Sequence, residues 1–310
     1  MAQHVTPEHL VIRPPSEWRS LLIRVTRGCN WNRCKFCGLY PALGQPDFSV
    51  RTVDEVKADI DYFAKRLEGL RMETAFLGDA DPLSAGVEQA CEIIGYLRTS
   101  FPHLRRVTSY ARASTVRKLG QESVKKLAAA GLNRAHVGLE SGDLETLKFH
   151  FKGQTPRIVT DAGLMLKQAG IEVSFYVLLG LGGEPRWREH IDATSEVVNK
   201  VNPEFVRLRR LWLYRSDDGQ TGKECPLWEH IRNGTFEPQT PEGTVRELRY
   251  LIEQLTVVNT QLLCDHANNY IQVSGTLPED KARILKEIDD FLSLPESNRQ
   301  RHYEAVGSRI

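Results

Sequence analysis

Apolar residues return along this chain with two alternating periods. Ser20-Leu-Leu-Ile-Arg-Val-Thr26 alternates apolar and polar positions, the pattern of a half-buried strand. Downstream, Val56, Ile60, Phe63 and Leu67 recur at helical spacing, opened by a capping box of Thr52 and Glu55 and stopped at Gly69. Glu73-Thr-Ala-Phe-Leu-Gly-Asp79 is again a short strand, followed by a helix around Val87, Ile94 and Leu97. The same alternation predicts a strand near Arg106 to Arg112, a helix ending at Gly131 and a fourth strand from Arg134 to Ser141. Two helical pieces follow, the second bounded by Thr155-Pro156 and Ala169-Gly170, with Pro first and Gly last. A fifth strand is expected over Ile171 to Leu179 and a sixth over Glu204 to Trp212. Six strands separated by helices imply an α/β fold with parallel pairing through right-handed crossovers.

Strand faces choose between an open sheet and a barrel. A sheet covered by helices on both sides tends to have strands that are apolar throughout, whereas a barrel with a reactive lumen needs one polar face. Arg24 and Thr26 share a face of strand one, His136, Gly138 and Glu140 one of strand four, and Arg207 and Arg209 one of strand six. The opposite faces carry Ile23 and Val25, Val137 and Leu139, and Val206 and Leu208. This predicts a six-stranded partial (β/α)6 barrel of TIM-like form over residues 20–215. The paired prolines of Arg13-Pro-Pro-Ser-Glu-Trp18 make residues 1–19 an extended lead-in on the surface. From 216 the alternation weakens: Ser216 to Lys223 reads as a flexible loop, and Thr240-Pro241 opens a helix carrying Leu248, Leu251, Ile252 and Leu255. Thr276-Leu-Pro-Glu279 opens a last helix with Ile284, Leu285, Ile288 and Phe291 on its buried face. Residues 216–310 are therefore expected to be a mainly helical C-terminal cap.

Composition narrows the class without naming a partner. A chain of 310 residues, 41% of them hydrophobic, can bury a substantial core. Lys and Arg total 41 against 40 Asp and Glu, so net charge gives no argument for nucleic acid or an acidic membrane. The longest apolar runs fall short of a bilayer span, and the N-terminus lacks a signal-peptide pattern. The expected location is the cytoplasm, which suits reduced thiols.

The chemistry concentrates in Arg27-Gly28-Cys29-Asn30-Trp31-Asn32-Arg33-Cys34-Lys35-Phe36-Cys37, where three of six cysteines fall within nine residues. They sit on a loop leaving the carboxyl end of the first strand. A loop can aim three sulfurs at one centre where a strand would point alternate ones apart. Zinc normally takes four ligands, and no second Cys pair or His-x-x-x-His follows. The remaining Cys91, Cys225 and Cys264 are scattered, which disfavours disulfides. Three thiolates on an iron–sulfur cube would leave one iron open to a reactant. A non-catalytic iron–sulfur or zinc protein with a closed site is the alternative.

This loop, followed by strand and helix units, resembles that of the radical S-adenosylmethionine (SAM) enzymes. Their commonest motif has three residues in the first gap; the four here match one branch, often named loosely after oxygen-independent coproporphyrinogen dehydrogenases. The resemblance extends through Arg13-Pro-Pro-Ser-Glu17, Phe76-Leu-Gly-Asp79, Gly138-Leu-Glu-Ser-Gly142, Leu179-Gly-Leu-Gly-Gly183, Asp265-His-Ala-Asn-Asn-Tyr270 and Gly275-Thr-Leu-Pro-Glu-Asp-Lys281. It implies a [4Fe-4S] cluster on Cys29, Cys34 and Cys37, with aromatic Phe36 just before the last of them. Reductive cleavage of SAM there would give methionine and a 5′-deoxyadenosyl radical that abstracts hydrogen from an unidentified substrate. By the same resemblance Gly78 and Asp79 would receive the methionyl ammonium. Glu140 and Ser141 would bind the ribose hydroxyls or that amine, and Gly180 and Gly182 would admit the adenine. Arg112, Arg207 and Arg209 are candidates for the methionyl carboxylate or an anionic substrate, since guanidinium forks match carboxylates. His266, Asn268, Asn269 and Tyr270 form a candidate substrate pocket. The implied partners are a small-molecule substrate and an electron donor such as flavodoxin or ferredoxin, with no membrane.

Overall fold

The computed structural model describes residues 7–9, 12–44, 47–213 and 224–307, so the loop expected over Ser216 to Lys223 lies outside the described residues. Its strands in chain order are β1 (Leu21–Arg24), β2 (Thr26–Arg27), β3 (Ser49–Val50), β4 (Thr74–Gly78), β5 (Arg106–Ala111), β6 (Arg134–Glu140), β7 (Glu172–Leu179), β8 (Phe205–Arg210), β9 (Thr260–Cys264) and β10 (Val273–Leu277). The chain divides into two compact units, residues 1–32, 40–137 and 161–173, and residues 33–39, 138–160 and 174–310.

In the first unit β1, β4, β5 and the opening of β6 pair in parallel, with Leu21 opposite Ala75, Thr74 opposite Arg106 and Thr108 opposite Arg134. Parallel neighbours need a crossover, and helices supply it: α1 (Leu39–Ala42) and α2 (Val53–Arg66) before β4, α3 (Val87–Ser100) before β5, α4 (Ala113–Leu119) and α5 (Gln121–Ala130) before β6. Ile23, Phe76, Val107 and Ala135 from the strands and Ile60, Ile94, Leu97 and Leu127 from the helices are fully buried. Each large apolar side chain so buried contributes about 1.5–3 kcal/mol. The capping box forms as expected. Thr52 Oγ1 accepts from Glu55 N–H at 3.2 Å, and the Glu55 carboxylate accepts from Thr52 N–H at 2.7 Å.

Two local expectations change here. The strand expected from Ser20 to Thr26 stops at Arg24, because Thr26 and Arg27 pair antiparallel with Val50 and Ser49 instead. The lead-in is not extended throughout: Pro15–Glu17 is a turn of 3-10 helix, and the buried Glu17 carboxylate binds the Ser20 hydroxyl at 2.5 Å and Arg106 Nη2 at 3.3 Å.

In the second unit β7, β8 and β9 are parallel, with Ser174 opposite Phe205, Leu179 opposite Arg210 and Val206 opposite Leu262. β10 closes antiparallel on β9, placing Val273 opposite Cys264. Helices α6 (Leu144–Phe149) and α8 (Trp187–Val201) precede β8, while α7 (Pro156–Gln168) belongs to the first unit from Asp161 onward. They are followed by α9 (Leu227–Arg232), α10 (Pro241–Gln254), α11 (Lys281–Leu292) and α12 (Glu296–Gly307). Phe175, Val177, Leu208 and Leu262 form a core with Ile191, Val198, Leu248, Ile252 and Ile288.

The fold is α/β with mostly parallel strands, but eight strands take part in it where six were expected. The extra two, β9 and β10, lie in the region expected to be a mainly helical cap. Thr276 does not open a helix. Leu277 precedes a proline, which disfavours helical backbone at that residue, so the stretch continues β10; the helix starts later, at Lys281, and is followed by a further one, α12. No helix among the described residues is long and apolar enough to cross a membrane.

Replacing Thr52 by Ala should lower stability by about 1 kcal/mol through loss of the cap, measured as a shift in the urea midpoint. An unchanged midpoint would mean that Glu55 alone holds the start of α2.

Candidate functional site

The first part of the cysteine stretch belongs to the first unit and is tied down by two acids after β4. The Asp79 carboxylate is buried and accepts from Arg24 Nε at 3.0 Å and Nη2 at 2.8 Å, and from the Gly28 N–H at 3.2 Å. Asp81, also fully buried, accepts from Asn30 Nδ2 at 2.7 Å, the Thr115 hydroxyl at 2.5 Å and the Arg112 N–H at 3.1 Å. Burial pushes the Asp81 carboxyl above its ordinary range, against the lowering by those three donors. The Arg112 guanidinium lies 5.0 Å from the Trp31 ring centroid and 3.4 Å from Asn30 Oδ1. Cys29 therefore has an anchored residue on each side. Its Sγ accepts from the Asn32 N–H at 3.4 Å.

Cys34 and Cys37 belong to the second unit, where the Lys35 backbone is the anchor. Its N–H donates to the His150 carbonyl at 2.9 Å, and its carbonyl accepts from Leu227 N–H at 2.9 Å and the Cys225 thiol at 2.8 Å. Cys37 N–H bonds back to the Cys34 carbonyl at 3.1 Å, so the two cysteines bracket one turn. Phe36 meets the His150 ring edge-on at 5.6 Å. Burial pushes His150 down to about 4, which leaves it neutral with Nε2 on the Leu181 carbonyl at 2.9 Å. None of the six cysteines is in a disulfide. Burial pushes Cys225 up to about 11 and Cys264 up to about 12, so both remain thiols at neutral pH and are poor ligands or nucleophiles.

The other expected contacts fall into two groups. Gly78 ends β4 with its carbonyl on the Val25 N–H at 2.6 Å. Glu140 ends β6 at φ 62° and pairs with Lys152 Nζ at 2.7 Å. The Ser141 hydroxyl is fully buried between His190 Nδ1 at 2.7 Å and the Asp143 N–H at 3.0 Å. Gly182 packs so closely that a Cβ would meet the Arg186 carbonyl at 2.8 Å. Gly180 has φ 82°, which favours glycine, and lines a cavity of about 270 Å³ at the carboxyl ends of β7 and β8.

That cavity gathers residues from far along the chain. Of the expected cluster, Tyr270 lines it. Asn269 is used structurally, accepting from Arg210 N–H at 2.9 Å and donating to the Leu208 carbonyl at 3.0 Å. His266 is bonded through Nδ1 to Asn268. Arg207 turns to the Ser174 hydroxyl at 3.1 Å, and Arg209 is half-buried on the same strand. The arginine that lines the cavity is Arg210, on the opposite face of β8, with Trp212, Trp228, Phe236, Gln239 and Thr244. None of these was singled out from the sequence. The available signal was the position of Arg210 as the last residue of a strand.

Glu247 on α10 is a second residue missed. It is fully buried beneath the loop after β7, accepting from Gly180 N–H at 2.6 Å and Gln239 Nε2 at 2.9 Å. Gln239 reaches it by folding across Gly243, where a Cβ would lie 2.0 Å from Gln239 Oε1. Burial pushes Glu247 up to about 7, although both donors lower it.

Residues 23–194, more than half of the chain, match the family model of the Radical SAM superfamily. An uncharacterized methyltransferase of Pyrococcus horikoshii, PH0819, is 24% identical over 205 residues, which are 62% of this chain and 41% of that protein. Coproporphyrinogen III oxidase (HemN) of Escherichia coli, a radical SAM enzyme, has a TM-score of 0.56 at 16% identity, covering 76% of this chain and 51% of its own. At that identity the likeness is one of fold. The methyltransferase TsrM of Kitasatospora setae, solved with cobalamin and a [4Fe-4S] cluster, gives 0.48 at 19% identity over 64% of this chain and 38% of its own. The chain thus spans about two fifths of the curated relative and about half or less of these two structures.

Glu247 should leave a signature in stability against pH. Its native pKa of about 7 lies above the ordinary 4.5, so between those values the native state binds more protons than the unfolded chain. Its contribution is complete below about pH 4.5, declines as pH rises to about 7 and is level above that. Relative to wild type, Glu247→Gln should therefore gain stability between pH 4.5 and pH 8, by an amount on the order of 3 kcal/mol. Urea unfolding of both proteins at the two pH values measures it, and a difference independent of pH would assign the titration elsewhere.

Proposed function

We infer that this chain, which belongs to the radical SAM superfamily, is an enzyme that cleaves SAM reductively at a [4Fe-4S] cluster held by Cys29, Cys34 and Cys37. The superfamily uses that cluster and that cosubstrate. What carries the reading is the thiol triplet itself. Three half-buried cysteines, none in a disulfide, at gaps of four and two residues lie inside the matched segment on the stretch that follows β2. The donor set suits the group, since three thiolates leave one iron of the cube for another ligand.

When bound, the cluster supplies the electron that splits the sulfonium of SAM into methionine and a 5′-deoxyadenosyl radical able to take hydrogen from the substrate. The remaining work belongs to the chain. The Arg24–Asp79–Gly28 clamp orients the approach to Cys29, and the turn closed by Cys37 N–H sets the spacing of the other two thiolates. Phe36 shields that turn from water. Gly78 and Asp79 receive the methionyl ammonium through a main-chain carbonyl or the Asp79 carboxylate, whose Oδ2 also holds Arg24 and Gly28. Arg112 is the partner for the methionyl carboxylate. Glu140 and Ser141 meet the ribose hydroxyls or the methionyl amine, and Gly180 and Gly182 let backbone approach the adenine. His266 and Tyr270 remain candidates for contact with substrate, with Asn268 and Asn269 holding them in place.

The same reading assigns β1 and β4 to β8 to a partial barrel over residues 20–215, preceded by the lead-in and followed by residues 216–310. Buried polar side chains on its strands, Arg24, His136 and Arg207, support a polar lining. A small-molecule substrate, reduction by a flavodoxin or ferredoxin, and a cytoplasmic location complete the proposal.

Anaerobic reconstitution with iron and sulfide, then dithionite and SAM, should yield 5′-deoxyadenosine and a SAM-induced change in the cluster EPR signal. Cys34→Ala should lose both. If wild type gives neither, the three cysteines serve a closed iron–sulfur or zinc site instead; if Cys34→Ala still cleaves SAM, the ligand assignment fails.

A further inference from the structure

The cavity at the ends of β7 and β8 contains a positive charge that the described residues do not neutralise. Arg210 is only 9% exposed. Its Nε donates to the Asn268 carbonyl and its Nη1 to the Tyr270 hydroxyl at 3.3 Å, and the guanidinium lies 4.6 Å from the Tyr270 ring centroid. Nη2 is buried with no hydrogen-bond partner. Arg210 forms no ion pair with a described carboxylate. It is also the one charged side chain among the described residues that line the cavity.

Each of these facts constrains an occupant. A buried guanidinium cannot shed its proton, so burial without a counter-charge leaves both a desolvated charge and unsatisfied N–H groups. Gln239 and Thr244 have their own partners, Glu247 and the Thr240 carbonyl, whereas the charge of Arg210 has no counter-charge among the described residues. A single cation suits a single negative charge; a phosphate, with about two at neutral pH, would leave a net buried charge. The walls are apolar and largely aromatic: Leu211, Trp212, Trp228, Ile231, Phe236 and the Tyr270 ring. Such a cavity holds one flat apolar body and orients it through one polar contact.

We propose that this cavity binds a small carboxylate with an aromatic or apolar body, its carboxylate paired with the guanidinium of Arg210. The guanidinium then acquires the counter-charge it lacks, and the fork geometry of guanidinium and carboxylate fixes the depth of the ligand. That this ligand is the substrate rests on the radical SAM reading; the binding itself does not.

Calorimetric titration of the anaerobically reconstituted protein tests it. The probes are benzoate, phenylacetate and indole-3-acetate, each against its neutral amide, with phenyl phosphate alongside. At least one acid should bind roughly tenfold or more tightly than its amide, and Arg210→Gln should bring the pair to parity. Because Arg210 also holds the Asn268 to Tyr270 segment, the wild-type ratio of acid to amide is the primary measurement, independent of whether the variant folds. Equal binding of acid and amide, no binding by any acid, stronger binding of phenyl phosphate, or displacement of the acid by SAM would each overturn the proposal. No turnover is involved, so failure here is distinct from failure of SAM cleavage.

Discussion

A buried carboxylate after β4 sets the path of the cysteine stretch. Asp79 takes two donors from Arg24 and one from the Gly28 backbone, so the end of β1, the end of β4 and the residue before Cys29 meet on one side chain. Neither charge is stable there alone. Removing one partner of such a pair typically costs 3–5 kcal/mol, because the other is left buried and unpaired. Asp81 repeats the device two residues later, joining Asn30 to the start of α4 through Thr115 and Arg112. Cys29 is thereby held from both sides by hydrogen bonds to backbone and side chain.

In the second unit the anchors are mostly main-chain and aromatic. The Lys35 backbone joins His150 and Leu227, and Phe36 leans on the same imidazole, which burial keeps uncharged. Around the cavity, two buried ionisable groups resolve the cost of burial differently. Glu247 can keep its proton and still accept from Gly180. Arg210 cannot lose its proton, so it has to find acceptors, and the described residues supply them to Nε and Nη1 but not to Nη2. The uncompensated charge of Arg210 in the lining of that cavity is what makes one end of β7 and β8 a place for a ligand.

Local interactions were the most legible. The Thr52–Glu55 box spans one turn, and the helix it opens carries its own periodicity, so neither needed tertiary information. The misreading at Thr276 arose in the same way. A local pattern for capping was present, but pairing with β9 and the proline after Leu277 held the chain extended. Face alternation correctly separated Arg207 and Arg209 from their apolar neighbours. It could not say that Arg207 would be occupied by Ser174, or that Arg210, on the other face, would have a cavity before it.

The main alternation of strands and helices as far as β8, and the three thiols at their spacing, were determined by the sequence alone, because each rests on periods and gaps within a few residues. Tertiary structure decided which polar groups remain available. Oδ2 of Asp79, the hydroxyl of Ser141 and the amide of Asn269 are all occupied by the protein itself, while the charge of Arg210 has no counter-charge among the described residues. Those outcomes depend on partners distant along the chain, brought within hydrogen-bonding distance only when the sheet and its helices pack.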